Sequence, residues 1–146
     1  MIRKSNKFDK EEVIGLMKMF KSESDIISLQ KLDNEDLWSR MFDSMNAGAG
    51  IIFLEEGKGL IMGMVVPSIW CDKTFSLHEL AWYVKPEYRD TSIGYRLFKT
   101  FINYGEQLKL AGRILSLVMG IMHNSPNINY GKYGFEKMEE TWIKEL

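Results

Sequence analysis

The chain has 146 residues, of which 45% are hydrophobic and 27% are charged, and its formal net charge is −1. This length predicts one domain over residues 1–146 that buries roughly two-thirds of the surface of the unfolded chain. The near-neutral charge argues against a general binder of nucleic acid or anionic membranes. The longest apolar run, residues 60–70, is shorter than the ~20 residues that span a bilayer, and the charged N-terminus lacks the apolar core of a signal peptide. With a single cysteine, which can form no internal disulfide, these features predict a cytoplasmic protein.

Two helices are predicted in the first third of the chain, where apolar residues recur at three- and four-residue spacing. A short edge strand over residues 1–4 precedes them. Asp9 is a candidate N-cap for a helix over about residues 10–22. The second helix is expected to begin near Asn34 and to end in residues 46–50, because glycine readily adopts the left-handed conformation that stops a helix.

Apolar runs separated by turn residues predict the strands. Residues 51–54 and 60–67 form a hairpin, and residues 75–84 follow as the next strand, so an antiparallel meander is the simplest arrangement. An amphipathic helix comes next, and residues 113–120 then predict a buried strand. A strand, a helix and a second strand form a right-handed crossover, so this strand should be parallel to residues 75–84.

Two further elements are predicted near the C-terminus. Ser125 and Pro126 favour the start of a short helix, with serine as the cap and proline at the first helical position. Residues 135–143 are expected to return as the last strand.

A polar turn joins the strand over residues 75–84 to the amphipathic helix. The first turn of a helix offers unpaired backbone N–H groups and the positive end of the helix dipole. Residues 85–95 are therefore predicted to form a cradle for a phosphate or pyrophosphate group, although the turn alone does not identify the ligand.

Two motifs in the chain resemble those of the GCN5-related N-acetyltransferases, the GNAT superfamily. Residues 84–89 read Val-Lys-Pro-Glu-Tyr-Arg, like the family's Val-x-Pro-x-Tyr-Arg, and residues 89–94 read Arg-Asp-Thr-Ser-Ile-Gly where the family has Gln/Arg-x-x-Gly-x-Gly/Ala. Residues 130–135 read Tyr-Gly-Lys-Tyr-Gly-Phe, like the family's Tyr-x-x-x-Gly-Phe. Either motif alone is weak, but both in this order are fairly specific, and the resemblance covers essentially the whole chain.

The resemblance implies an α/β (α+β) fold with a mixed, mostly antiparallel sheet of six to seven strands, about four flanking helices and one splayed parallel strand pair. In this family the pantetheine arm of acetyl-CoA inserts between the splayed strands, backbone amides hold its pyrophosphate, and a bulge, expected here near Tyr83 and Val84, aims an amide at the thioester carbonyl. The charge of Arg89 would help to hold the pyrophosphate. The cofactor-binding residues implied by the resemblance are Trp82, Tyr83, Val84, Arg89, Asp90, Thr91, Ser92, Ile93, Gly94, Tyr95 and Asn124.

The resemblance also implies two catalytic residues. Glu79, on the strand that enters the turn, is the candidate base that deprotonates the acceptor ammonium directly or through a water, and Tyr130 is the candidate acid for the departing thiolate. Both have alternative interpretations. Glu79 could be a strand carboxylate that faces solvent or pairs with a lysine, and Tyr130 could only pack its ring beneath the last helix.

The predicted function is an acetyl-CoA-dependent N-acetyltransferase that needs no metal and transfers an acetyl group to a primary amine by direct attack. The sequence leaves open whether the acceptor is a small molecule or a peptide, and whether the protein is a homodimer. The alternative is a non-catalytic GNAT-like module that binds acetyl-CoA or a protein partner. Its support is that Asp90 and Ser92 stand where the family commonly has glycine, so that an acidic group enters the predicted pyrophosphate turn.

Overall fold

The protein folds around one open sheet with helices on both faces. The structure, a computed structural model, describes residues 1–122 and 125–146. Over these residues the strands are β1 (Arg3–Lys4), β2 (Gly50–Glu55), β3 (Gly59–Pro67), β4 (Phe75–Val84) and β5 (Ser116–Val118). The helices are α1 (Lys10–Ser22), α2 (Ile27–Gln30), α3 (Glu35–Ser44) and α4 (Ile93–Leu110).

The strands lie in the sheet in their sequence order. The first three pairings are antiparallel, and β4 pairs with β5 in parallel through the α4 crossover, which confirms the predicted meander and crossover. The mixed fold with one parallel pair is thus as expected, but the described residues form five strands, fewer than the six to seven predicted.

Of the elements predicted near the C-terminus, one strand is shorter than expected, and a second strand and a short helix are absent from the described residues. The predicted strand over residues 113–120 is reduced to the three residues of β5. Residues 135–143 join no strand ladder with the described chain. Phe135 packs on Phe98, whereas residues 136–146 are all exposed, including the large apolar side chains of Met138, Trp142 and Ile143. Ser125 and Pro126 do not begin a helix in the described residues. A 3-10 helix begins instead at Tyr130, and Asn129 caps it, because the Asn129 side chain accepts from the Lys132 N–H at 3.3 Å.

The helix ends show which local sequence signals act. Asn34 caps α3 as predicted, since its side chain accepts from the Leu37 N–H at 3.0 Å. Gly48 has a φ of 117° in the wide turn that ends this helix, again as predicted. Asp9 is not the side-chain cap of α1. It is buried and accepts from the backbone N–H of Asn6 at 2.7 Å and from the guanidinium of Arg3, so it closes the preceding turn.

Two apolar layers, one on each face of the sheet, form the core. Helices α1 and α3 cover one face with Val13, Leu16 and Phe42. Helix α4 covers the other face, where Phe101 is fully buried. A Cβ at Gly63 would lie 2.7 Å from the Phe101 ring, so only glycine lets α4 approach β3 this closely. Burying a side chain of this size contributes about 2 kcal/mol to stability.

Within the described residues, no helix combines the length and apolar character needed to cross a membrane.

Candidate functional site

A cleft opens where the two parallel strands separate. β4 and β5 pair only from Ser76 to His78, which face Ser116 to Val118. β4 continues for six residues beyond this point, while β5 ends at Val118. The backbone groups on this edge of β4 therefore lose their neighbouring strand from Glu79 onward, and an extended ligand could take its place.

A β-bulge lies at the start of the cleft. In the β3–β4 ladder Gly63 pairs with Glu79 and Met62 pairs with Ala81, so Leu80 is an extra residue on β4. The bulge expected near Tyr83 and Val84 is thus misplaced, because those two residues pair in regular register with β3. A bulge bends the strand and redirects the adjacent side chains, and here the adjacent side chain is Glu79.

Glu79 is a half-buried carboxylate at the mouth of the cleft. The backbone N–H of Gly120 donates to its Oε2 at 3.4 Å. Burial raises the pKa of Glu79 to about 7, because ionisation is disfavoured away from water, and the hydrogen bond from Gly120 only partly opposes this shift. A carboxyl group with this pKa exchanges protons readily near neutral pH, as a general base requires.

Tyr130 lies close to this carboxylate. Burial and then the charge of Glu79 raise the pKa of the Tyr130 phenol above its ordinary value. Its ring makes edge contacts with Phe98 at 5.9 Å and with Phe135 at 5.5 Å. The packing role considered for Tyr130 is therefore real, and it holds the phenol near Glu79. Tyr133 also packs on Phe98, with ring centroids 5.1 Å apart.

Trp82 and Val84 form the wall of the cleft on the α4 side. The indole of Trp82 stacks on Phe98 with centroids 5.2 Å apart and an interplanar angle of 12°. A Cβ at Gly94 would lie 3.7 Å from Val84 and 4.0 Å from Trp82, so the start of α4 rests against this wall. Tyr83 points to the opposite face of the sheet, where it packs on Phe20.

The predicted pyrophosphate turn keeps several backbone donors free. The N–H groups of Arg89 and Thr91 donate to carbonyls within the turn, and that of Ile93 makes a long 3.4 Å bond to the Thr91 hydroxyl. No described residue accepts from the remaining donors of this segment, which are the N–H groups of Asp90, Ser92, Gly94 and Tyr95. Four free amides at a helix N-terminus form a suitable anion site.

The sequence did not reveal the side-chain partners around this turn. The guanidinium of Arg89 bonds to Glu23 at the end of α1, a residue that no motif marks. Arg96 donates to the Ser92 hydroxyl at 3.2 Å, and only its four-residue spacing from Ser92 could have suggested this contact. The predicted cofactor contact at Asn124 lies outside the described residues.

Three carboxylates elsewhere, those of Asp9, Glu12 and Glu56, come close enough together to share a cation. Arg3 bonds to both Asp9 and Glu56, and Glu12 accepts from the Gly57 N–H. The positive charge at this cluster is thus already supplied by an arginine.

Comparison with known proteins places the fold and the motifs in one family. The family model of the acetyltransferase (GNAT) family matches residues 12–135. No curated protein matches the chain by sequence.

Solved structures of similar fold cover nearly the whole chain. The structure of a possible acetyltransferase from Clostridium difficile 630 superposes with a TM-score of 0.69 at 17% identity, and the match includes 99% of this chain and 95% of that protein's chain. A predicted acetyltransferase with acetyl-CoA from Clostridium acetobutylicum has a TM-score of 0.70 at 15% identity, with coverage of 99% and 94%. An aminoglycoside acetyltransferase from an uncultured soil metagenomic sample, in complex with sisomicin, has a TM-score of 0.66 at 11% identity, with coverage of 100% and 95%. These identities support only the shared fold, but the family model spans most of the chain, and the chain therefore belongs to the GNAT acetyltransferase family.

Proposed function

We propose that the protein is an N-acetyltransferase that moves the acetyl group of acetyl-CoA to a primary amine by direct attack. The observation that carries the proposal is the Glu79 carboxyl group, half-buried where β4 and β5 separate and raised in pKa to about 7. It lies near the Tyr130 phenol, at one end of the cleft whose other end is the amide-rich turn.

The residues present fit acetyl-CoA. Four free amides at the start of α4 suit a pyrophosphate, and the unpaired edge of β4 suits an amide-containing arm. Gly94 keeps the helix start open beside Val84 and Trp82. The exposed carboxylate of Asp90 opposes an anion at the turn, but in water such a repulsion is weak and screened by salt.

When bound, acetyl-CoA supplies an activated thioester carbonyl. Glu79 would accept a proton from the acceptor ammonium and leave a neutral amine that can attack. Its pKa of about 7 means that roughly half of the molecules hold the basic form at neutral pH. Tyr130, whose raised pKa keeps it protonated, would donate a proton to the departing sulfur. General acid–base assistance of this kind is worth ~10²–10⁴ in rate.

The acceptor would enter beside α2 and the C-terminal segment. These two elements contact each other, since Glu145 of that segment accepts from the Ser28 N–H at 3.0 Å and from its hydroxyl at 2.6 Å. The aminoglycoside acetyltransferase complex named above supports small-molecule amines as the first acceptors to examine.

The first experiment is a thermal-shift titration with acetyl-CoA, because a ligand at about 100 times its dissociation constant adds ~2.7 kcal/mol of stability. Release of free thiol is then measured with polyamines, aminoglycosides, amino acids and peptides. We expect a thermal shift and at least one acceptor that releases thiol. No shift with millimolar acetyl-CoA would contradict the proposal, whereas binding without thiol release from any amine would favour the non-catalytic module.

A further inference from the structure

The side chain of Arg89 turns away from the four free amides of its own turn. Its Nε donates to the Val84 carbonyl at 2.9 Å, and its Nη2 lies 2.7 and 2.9 Å from the two carboxylate oxygens of Glu23. The guanidinium also lies 5.5 Å from the centroid of the Tyr83 ring. The charge of Arg89 is therefore already paired with the Glu23 carboxylate, on the α1 side of the sheet.

These partners lie on two elements, β4 and the end of α1. Val84 is the last residue of β4 and so ends the wall of the cleft. Glu23 is the C-cap residue of α1 and begins the segment that leads to α2. Burial, and then the interaction with the same Glu23 carboxylate, raises the pKa of Tyr83 to about 12. One guanidinium thus connects the turn, the strand end and the end of α1.

We infer that Arg89 is a positioning residue, which holds the end of α1 and the following α2 segment in place beside the turn. This inference rests on the proposed function, because that segment is the one proposed to flank the acceptor. If Arg89 instead moved to a pyrophosphate, the Val84 carbonyl and the Glu23 carboxylate would both lose its hydrogen bonds. One anionic partner would only replace another, so the exchange would gain little affinity.

The effect of the contact should be local. The side chains of Arg89 and Glu23 are 46% and 38% exposed, and ion pairs this exposed contribute little to global stability. The reaction rate, however, is sensitive to the position of the acceptor, because a misplacement of about 1 Å in a reacting group can lower a rate ~10²-fold. Loss of the contact should therefore change the use of the acceptor more than the binding of acetyl-CoA.

The test uses Arg89→Gln, Glu23→Gln and the double variant, with Arg40→Gln on the exposed side of α3 as the control arginine. Hydrogen exchange of the unliganded proteins is followed over residues 23–30. We expect exchange there to accelerate about threefold to fivefold in both single variants, with no further increase in the double variant and no change in the control. Unchanged exchange in Arg89→Gln would overturn the inference.

The second readout is binding and kinetics. We expect the dissociation constant of acetyl-CoA to stay within about twofold in both single variants, while the acceptor KM rises about fivefold. A tenfold loss of acetyl-CoA affinity in Arg89→Gln but not in Glu23→Gln would make Arg89 a direct ligand and overturn the inference. The exchange experiment needs neither substrate, so a wild-type protein that fails to bind acetyl-CoA would refute the proposed function without deciding the role of Arg89.

Discussion

Replacement of Glu79 by glutamine tests the candidate site most directly, since the variant removes a charge while keeping the shape and the acceptor oxygen. The pKa of Glu79 rises from 4.5 to about 7 in the folded protein. This shift of ~2.5 units corresponds to about 3 kcal/mol at 1.36 kcal/mol per unit. At a pH between 4.5 and about 7, the Glu79 carboxyl group is ionised in the unfolded chain but still protonated in the folded protein. Raising the pH through this range therefore lowers the free energy of unfolding by about 3 kcal/mol.

Glutamine has no proton to lose, so Glu79→Gln should be more stable than the wild type by about 3 kcal/mol above pH 7, and this advantage should disappear towards pH 4. Urea denaturation at a series of pH values measures it, with Glu106→Gln on the exposed face of α4 as the matched control. Turnover should fall by ~10²–10⁴ above pH 7 and by less below it, where the wild-type base is itself protonated. A stability difference that does not change with pH would refute the raised pKa of Glu79, and unchanged turnover would refute its role as the base.

Three further changes probe the rest of the cleft. Gly94→Ala should leave the melting temperature and, within about twofold, the affinity for acetyl-CoA unchanged, because the new methyl meets Val84 at an ordinary 3.7 Å and the family motif accepts alanine here; a tenfold loss of affinity in calorimetry would contradict this. Tyr130→Phe should keep the ring contact with Phe98 and the cofactor affinity but lower turnover ~10²-fold, and equal turnover would exclude the phenol as the acid. Asp90→Asn should tighten acetyl-CoA binding about twofold at low ionic strength and not in 1 M salt, as calorimetry at both concentrations would reveal.

Local signals in the sequence predicted the elements that depend on local interactions. The first helix was recognised from its apolar spacing, and Asn34 was recognised as a cap because its side chain bonds three residues along the chain. The free amides of the turn follow from the geometry of any helix start. The parallel pairing of β4 and β5 follows from the handedness of the crossover.

Contacts between distant residues were beyond this kind of prediction. The bulge at Leu80 depends on how β4 aligns with β3, which the sequence of β4 does not contain. Arg89 and Glu23 are 66 residues apart, and nothing near Glu23 distinguishes it from a solvated acidic residue. Residues 135–143 resembled a strand in isolation, yet Phe135 packs on Phe98 while residues 136–143 are exposed.

The chemistry of Glu79 arises from its place in the sheet and not from its neighbours in sequence. His78 still faces Val118 of β5, whereas Glu79, one residue later, stands where the strands have separated and accepts a hydrogen bond from the Gly120 N–H. Among the described residues no lysine or arginine pairs with it, so burial is the dominant effect and the pKa rises. A cation beside Glu79 would lower the pKa of the carboxyl group instead of raising it, and the carboxylate would then be too weakly basic to take a proton at neutral pH. The same separation of strands that makes room for a ligand therefore also produces the base.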